Sequence, residues 1–189
     1  MLTKISLWLL KISTPLLALI CLALFLVFSA LVLPDQTANA ETYSAELGSP
    51  DTSLFYTAAD LYRMAEGYGA HGRAAYIRAR FTFDLIFPLV YTAFLVTAIS
   101  LLTKTSNLSG PLWARINLLP ISGMVFDFLE NISASIVISR YPHRTAVIDS
   151  LAGIFTLLKW VFLAASFLVL VFLAVFSWRR RARFSNKRE

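Results

Sequence analysis

Four uninterrupted apolar stretches, each long enough to span a hydrocarbon core, limit what this chain can fold into. They run over approximately 12–33, 81–102, 116–138 and 151–176. Crossing a bilayer as a helix takes about 20 apolar residues. Lipid offers no hydrogen-bond partners to free backbone groups, so each stretch reads as a helix, and none alternates with the period of a barrel strand. The sequence therefore predicts an all-α protein: a four-helix transmembrane bundle forming a single membrane domain over 1–189. Composition agrees, because 58% of residues are hydrophobic and 15% are charged, whereas a soluble domain carries roughly a quarter charged residues. A free soluble enzyme and a nucleic-acid-binding module are excluded, since the basic residues gather at the flanks of the apolar stretches. A disulfide scaffold is excluded by a single cysteine, Cys21, which reads as a packing residue.

Lys and Arg close to span ends set orientation. Lys4, Lys11, Lys104, Arg115 and the tail 177–189, with Arg179, Arg180, Arg181, Arg183, Lys187 and Arg188, fall on one side. Arg63, Arg73, Arg78, Arg80, Arg140 and Arg144 fall on the other, diluted in the long first loop by Asp35, Glu41, Glu46, Asp51, Asp60 and Glu66. This pattern predicts a multi-pass cell-membrane protein with both termini cytoplasmic. Trp8 and Trp178 suit the interfacial aromatic belt. The tail reads as a topology determinant and a contact for anionic lipid. Lys4 and Lys11 before the first stretch, and Ala38-Asn39-Ala40 after it, also fit a signal peptide cleaved after Ala40. The stretch is about 22 residues, longer than the roughly 7 to 15 of a secretory core, which favours an uncleaved span.

The outer loop 34–80 divides in two. Residues 34–53 are polar and contain Pro, Asn, Ser and Gly, which predicts an extended or irregular path. Thr57-Ala58-Ala59-Asp60 then reads as a helix start with Thr57 as N-cap. Leu61, Met64, Ala65 and Tyr68 follow at helical spacing, predicting a short extracytoplasmic amphipathic helix. Gly67, Gly69 and Gly72 should end or bend it, and from Arg73 the pattern runs on into the second span. Such a helix suits either the lipid surface or a cap over the bundle, and Tyr56, Tyr62, Tyr68 and Tyr76 fit both places. His71 reads as a turn residue, with no second loop ligand at metal spacing.

Ionisable groups inside spans cost about 2.5 to 3.5 kcal/mol each on insertion scales. Asp84, Asp127, Glu130 and Lys159 therefore call for an explanation. Asp127 with Glu130 and Asp127 with Asn131 are i, i+3 and i, i+4 pairs, so the three share one face. Gly123 and Ala134 continue that stripe and permit close helix approach. The face carrying Val125, Phe128, Leu129, Ile132 and Ile136, with Ser135 at its edge, suits lipid. At a rise of about 1.5 Å per residue, Lys159 on the antiparallel fourth span falls near the level of Glu130 and Asp127, as their counter-ion. Asp84 lies nearer the outer end of the second span, one turn from Arg80 and about two turns from Tyr91, and Arg80 or Arg78 can pair with it by snorkelling outward. Pro88 offers a bend there. The candidate site is thus a polar pocket of Asp84, Tyr91, Asp127, Glu130, Asn131 and Lys159, with Arg78 and Arg80 at its mouth. Two adjacent carboxylates do not both ionise easily, so one is a candidate for proton exchange. A neutralised network that fixes helix pairing accounts for the same residues.

No His lies inside a span, and Cys-x-x-Cys, phosphate-loop and Ser–His patterns are absent, so no cofactor or metal is expected. Gly69-x-x-Gly72-Arg73-x-x-Tyr76, Asp84-x-x-x-Pro88-x-x-Tyr91, Asp127-x-x-Glu130-Asn131 and Leu158-Lys159-Trp160 together resemble a group of small bacterial four-helix membrane proteins without an assigned activity. In topology alone the chain is similar to the sterol-isomerase and sigma-2-receptor type of bundle. That likeness implies binding of sterols or cationic amines, although the family's His and Glu pattern is not reproduced. The expected partners are the lipid bilayer and a small amphiphilic or cationic ligand, with no nucleic acid. Catalysis at the same site would use one carboxyl as acid and the other as base. Two further readings stand beside this one. The first is an accessory subunit or homo-oligomer packing through Phe155, Phe162, Phe167, Phe172 and Phe176. The second is a proton-coupled pathway, which the missing ionisable groups in the cytoplasmic half of the third span disfavour.

Overall fold

The computed structural model describes residues 1–44, 47–106, 108, 110 and 112–185, with side chains through 180. Helices α1 (Leu2–Ile12), α2 (Pro15–Val27), α3 (Leu33–Ser44), α4 (Ala58–Gly67), α5 (Gly69–Arg80), α6 (Phe83–Thr105), α7 (Leu119–Arg140) and α8 (Ile148–Ser185) follow in chain order, with no strand among the described residues. Four helical stretches are long and apolar enough to cross a membrane: Pro15–Ser44, Gly69–Thr105, Ile116–Arg140 and Ile148–Arg180. All four expected spans are present, and each reaches further than its apolar core because helix continues into polar flanks.

The start of the first span differs from expectation. Ile12 closes a separate helix, because Ser13 is extended (φ −71°, ψ 102°) and Thr14 precedes a proline, which disfavours helical backbone. Pro15 then opens α2 where its missing N–H costs nothing, and Thr14 Oγ1 accepts from the Leu17 amide at 3.2 Å. At its far end the span continues where an irregular path was expected. A π-helical turn, Phe28–Val32, leads directly into α3. The wider turn gives the Pro34 ring room that an α-helical turn would deny it. Ala38, Ala40 and Glu41 then sustain helix, and the Thr37 and Thr42 hydroxyls donate to the carbonyls of Leu33 and Asn39. Of the expected loop and tail residues, Glu46, Lys187 and Arg188 lie outside the described residues, as do the side chains of Arg181 and Arg183.

Contacts group the chain into two compact units. Unit 1 comprises 1–25, 90–122 and 162–189, and unit 2 comprises 26–89 and 123–161. In unit 1 a polar clasp ties three segments together. Asn117 donates from Nδ2 to the Ser6 carbonyl (3.2 Å) and to Ser100 Oγ (2.8 Å), and the Ser6 hydroxyl donates to Asn117 Oδ1 at 2.6 Å. Ser106 and Ser177 hydroxyls meet at 2.6 Å. Phe25 stacks on Phe94 with centroids 5.0 Å apart, and Cys21 is buried.

Unit 2 is built around the amphipathic helix. Thr57 is the N-cap, as expected, and with Asp60 it forms a capping box; the Asp60 carboxyl is held below its usual range by the Thr57 hydroxyl and amide. Leu61, Met64, Ala65 and Tyr68 are buried with Ala134, Val137 and Ile138 of α7 and Ala152 of α8. Of the two placements open for this helix, its apolar face therefore packs into protein. Burying a Leu or Met side chain contributes about 1.5–3 kcal/mol, so this face anchors the loop. Gly69 takes φ +62°, the left-handed turn that lets α5 leave α4 at a new angle.

Candidate functional site

Of the charges within the candidate spans, Asp84, Asp127, Glu130 and Lys159 fall in unit 2 and meet as two linked clusters. In the inner cluster, Lys159 Nζ lies 2.5 Å from Glu130 Oε2 and 3.8 Å from Asp127 Oδ1. Asn131 Nδ2 donates to Asp127 Oδ1 at 3.2 Å, one helical turn away, as the spacing required. Glu130 is fully buried and Lys159 is 5% exposed, so the pair is sealed rather than wet. On the opposite side of α7, Val125, Leu129 and Ile132 are exposed, as expected of an outward face. Ser135 departs from that face: it is buried, and its hydroxyl has no hydrogen-bond partner among the described residues.

Tyr56 joins this cluster from the loop. Its hydroxyl donates to Glu130 Oε1 at 3.5 Å, and burial, reinforced by the neighbouring Glu130, raises its phenol above the ordinary value. Two contacts fix the loop there. Trp160 Nε1 donates to the Ser53 carbonyl at 2.9 Å, and Gly153 leaves room for the Tyr56 carbonyl, against which a Cβ would clash. Lys159 Nζ also stands over the Trp160 ring, 5.4 Å from its centroid. No local sequence signal marks Tyr56 or Trp160 as a site residue, because their partners lie far away in sequence.

The outer cluster is centred on Arg80. Its guanidinium bonds Asp84 Oδ2 at 2.8 Å and also pairs with Asp51. It stacks over Tyr76, 4.6 Å from that ring's centroid. Arg80 thus pairs with Asp84 as expected, but it does so at 6% exposure, held inward by Asp51 and Tyr76 rather than snorkelling outward. Arg78 is exposed and does not line the cleft described next. Asp84 stands within electrostatic range of Asp127 and Lys159, and Arg80 within range of Glu130 and Asp127. The two clusters therefore act on one another. Together they set four carboxylates, Asp51, Asp84, Asp127 and Glu130, against two cations, Arg80 and Lys159.

A cleft of about 260 Å³ opens beside the outer cluster. Arg80, Asp84, Asp51 and Glu41 line it together with the apolar Leu33, Tyr43 and Phe83. Asp127, Glu130, Asn131 and Lys159 are not among its lining residues. Tyr91 belongs to unit 1, where it is 3% exposed. Of the site residues expected from the sequence, Asp84 and Arg80 line this cleft. The helical continuation 33–44 supplies Leu33, Glu41 and Tyr43 to the wall, where the polar sequence of 34–53 predicts an irregular path. His71 and His143 are exposed, and no group of three or more His, Cys, Asp or Glu suited to a metal occurs among the described residues. No protein-family model, curated protein or solved structure matches this chain.

Proposed function

We propose that the protein is a multi-pass cell-membrane protein whose unit 2 binds a small amphiphilic cation in the cleft beside Asp84. One observation carries this reading: the cleft wall presents three carboxylates, Glu41, Asp51 and Asp84, against one guanidinium, beside apolar Leu33, Tyr43 and Phe83. A cationic head is attracted by this excess of negative charge, and an apolar body gains by covering the adjacent side chains. The volume is near the lower end of the range for ligand pockets, about 300 Å³, which fits a compact head with its tail outside. Arg80 holds Asp51 and Asp84 in place, and the sealed Lys159 pair behind them limits the total charge. Both termini are placed in the cytoplasm and the cleft on the outer side, which the basic flanks at Lys4, Lys11, Lys104, Arg115 and Arg179 support.

Isothermal titration of the detergent-solubilised protein with a short-chain quaternary ammonium amphiphile, its uncharged isostere and its sulfonate counterpart tests this reading. Binding should follow the order cation, neutral, anion, and Glu41→Gln should weaken the cation alone, by up to about tenfold for the loss of one close charge. Equal affinity for all three would refute the proposal.

A further inference from the structure

We infer that unit 1 holds the headgroup of an anionic phospholipid against the cationic side chains that frame α1. Charge is the first ground. Unit 1 contains two Lys in 1–25, a Lys and an Arg in 90–122, and six Lys and Arg in 162–189. Its one Asp or Glu is Glu189, outside the described residues. In unit 2 the balance reverses, with ten acidic side chains to seven basic ones. No carboxylate within the described part of unit 1 is available to neutralise its cations.

Geometry is the second ground. Arg115 Nε donates to Thr3 Oγ1 at 3.0 Å, and Lys104 Nζ donates to the Ser13 carbonyl at 2.6 Å. Both side chains are exposed. One is tied to the first turn of α1 and the other to the residue that closes it, in each case through a neutral oxygen that leaves the full positive charge in place. Lys4 and Lys11 on α1 itself are exposed too. Between these cations α1 presents large apolar side chains: Leu2 is 59% exposed, Leu7 53% and Trp8 59%. The break at Ser13 and Pro15 separates this helix from the apolar run of α2.

Phosphate beside the cations at either end of α1, with acyl chain over Leu2, Leu7 and Trp8, is the combination that anionic phospholipid supplies. A free phosphodiester would leave the apolar side chains unused. Each basic side chain near an anionic surface favours binding by about fivefold, enough to enrich one lipid class around this helix.

Three of the four tryptophans, Trp8, Trp113 and Trp178, belong to unit 1, which provides a direct readout. The full-length protein is reconstituted in phosphatidylcholine vesicles, and Trp quenching is measured with brominated phosphatidylglycerol and with brominated phosphatidylcholine. The anionic lipid should associate several-fold more strongly. Arg115→Gln and Lys104→Gln should each reduce that preference, by at most about fivefold, whereas Arg115→Lys should retain it, showing that charge and not folding is lost. Equal quenching by the two lipids would overturn the inference, as would an unchanged preference in both Gln variants. Displacement of the brominated lipid by soluble glycerophosphoglycerol would also overturn it, by assigning the site to a free phosphodiester.

Discussion

Asp84, Asp127, Glu130 and Lys159 stood out in the sequence because a charge inside an apolar run is expensive wherever it points, and the Lys159 pairing followed from depth alone. Their other partners could not be read. Tyr56 and Asp51 sit in the loop and reach Glu130 and Arg80 only after the chain has folded back, and nothing local marks either residue. The sealed inner pair has a measurable consequence. Removing one partner of a buried ion pair costs about 3–5 kcal/mol. Asp127, 3.8 Å from Lys159, cushions the loss of Glu130 but cannot replace the lysine. In detergent-phase unfolding, Lys159→Met should therefore destabilise more than Glu130→Gln. The double variant should fall well short of the sum, and additivity would show that the pair is not coupled. Titration gives a second consequence. Burial raises the Tyr56 and Tyr68 phenols, so their contribution is complete below the unfolded tyrosine value of about 10 and is lost as pH climbs above it. Thermal stability should drop at alkaline pH, and Tyr56→Phe should flatten that drop; an identical pH profile in the variant would count against a buried Tyr56.

At the level of elements, the N-cap at Thr57 and the Leu61, Met64, Ala65 and Tyr68 stripe were legible because cap chemistry and helical spacing are local signals. The helix at 33–44 was not legible. A proline followed by polar residues ordinarily ends a helix, and here a π-helical turn absorbs the ring instead. This helix supplies one wall of the cleft, which local sequence signals therefore do not mark. A second local feature is Val147, which takes φ +74° at 68% exposure immediately before α8. A β-branched residue in this region is strained by about 1–2 kcal/mol. Val147→Gly should raise stability by about 1 kcal/mol after allowing for the more flexible unfolded chain. A loss measured by chemical unfolding would show that the turn does not carry that strain.

For the whole molecule, the charge division is the broadest regularity: cations dominate unit 1, while acids outnumber bases in unit 2. Apolar length gave the four spans, and flanking charge gave a proposed orientation, because both are properties of sequence blocks rather than of individual contacts. The grouping into two units was not visible, since each draws on separated parts of several helices. The proposed division of labour follows: lipid headgroups at unit 1, a small cation at unit 2. The most direct test is photolabelling with a quaternary ammonium amphiphile that carries a diazirine next to its charged head, followed by peptide mapping. Labelled sites should concentrate in 33–52 and 79–84 and should diminish in Glu41→Gln. Labels spread along the exposed face of α8, or confined to 127–131, would contradict a cation site beside Asp84.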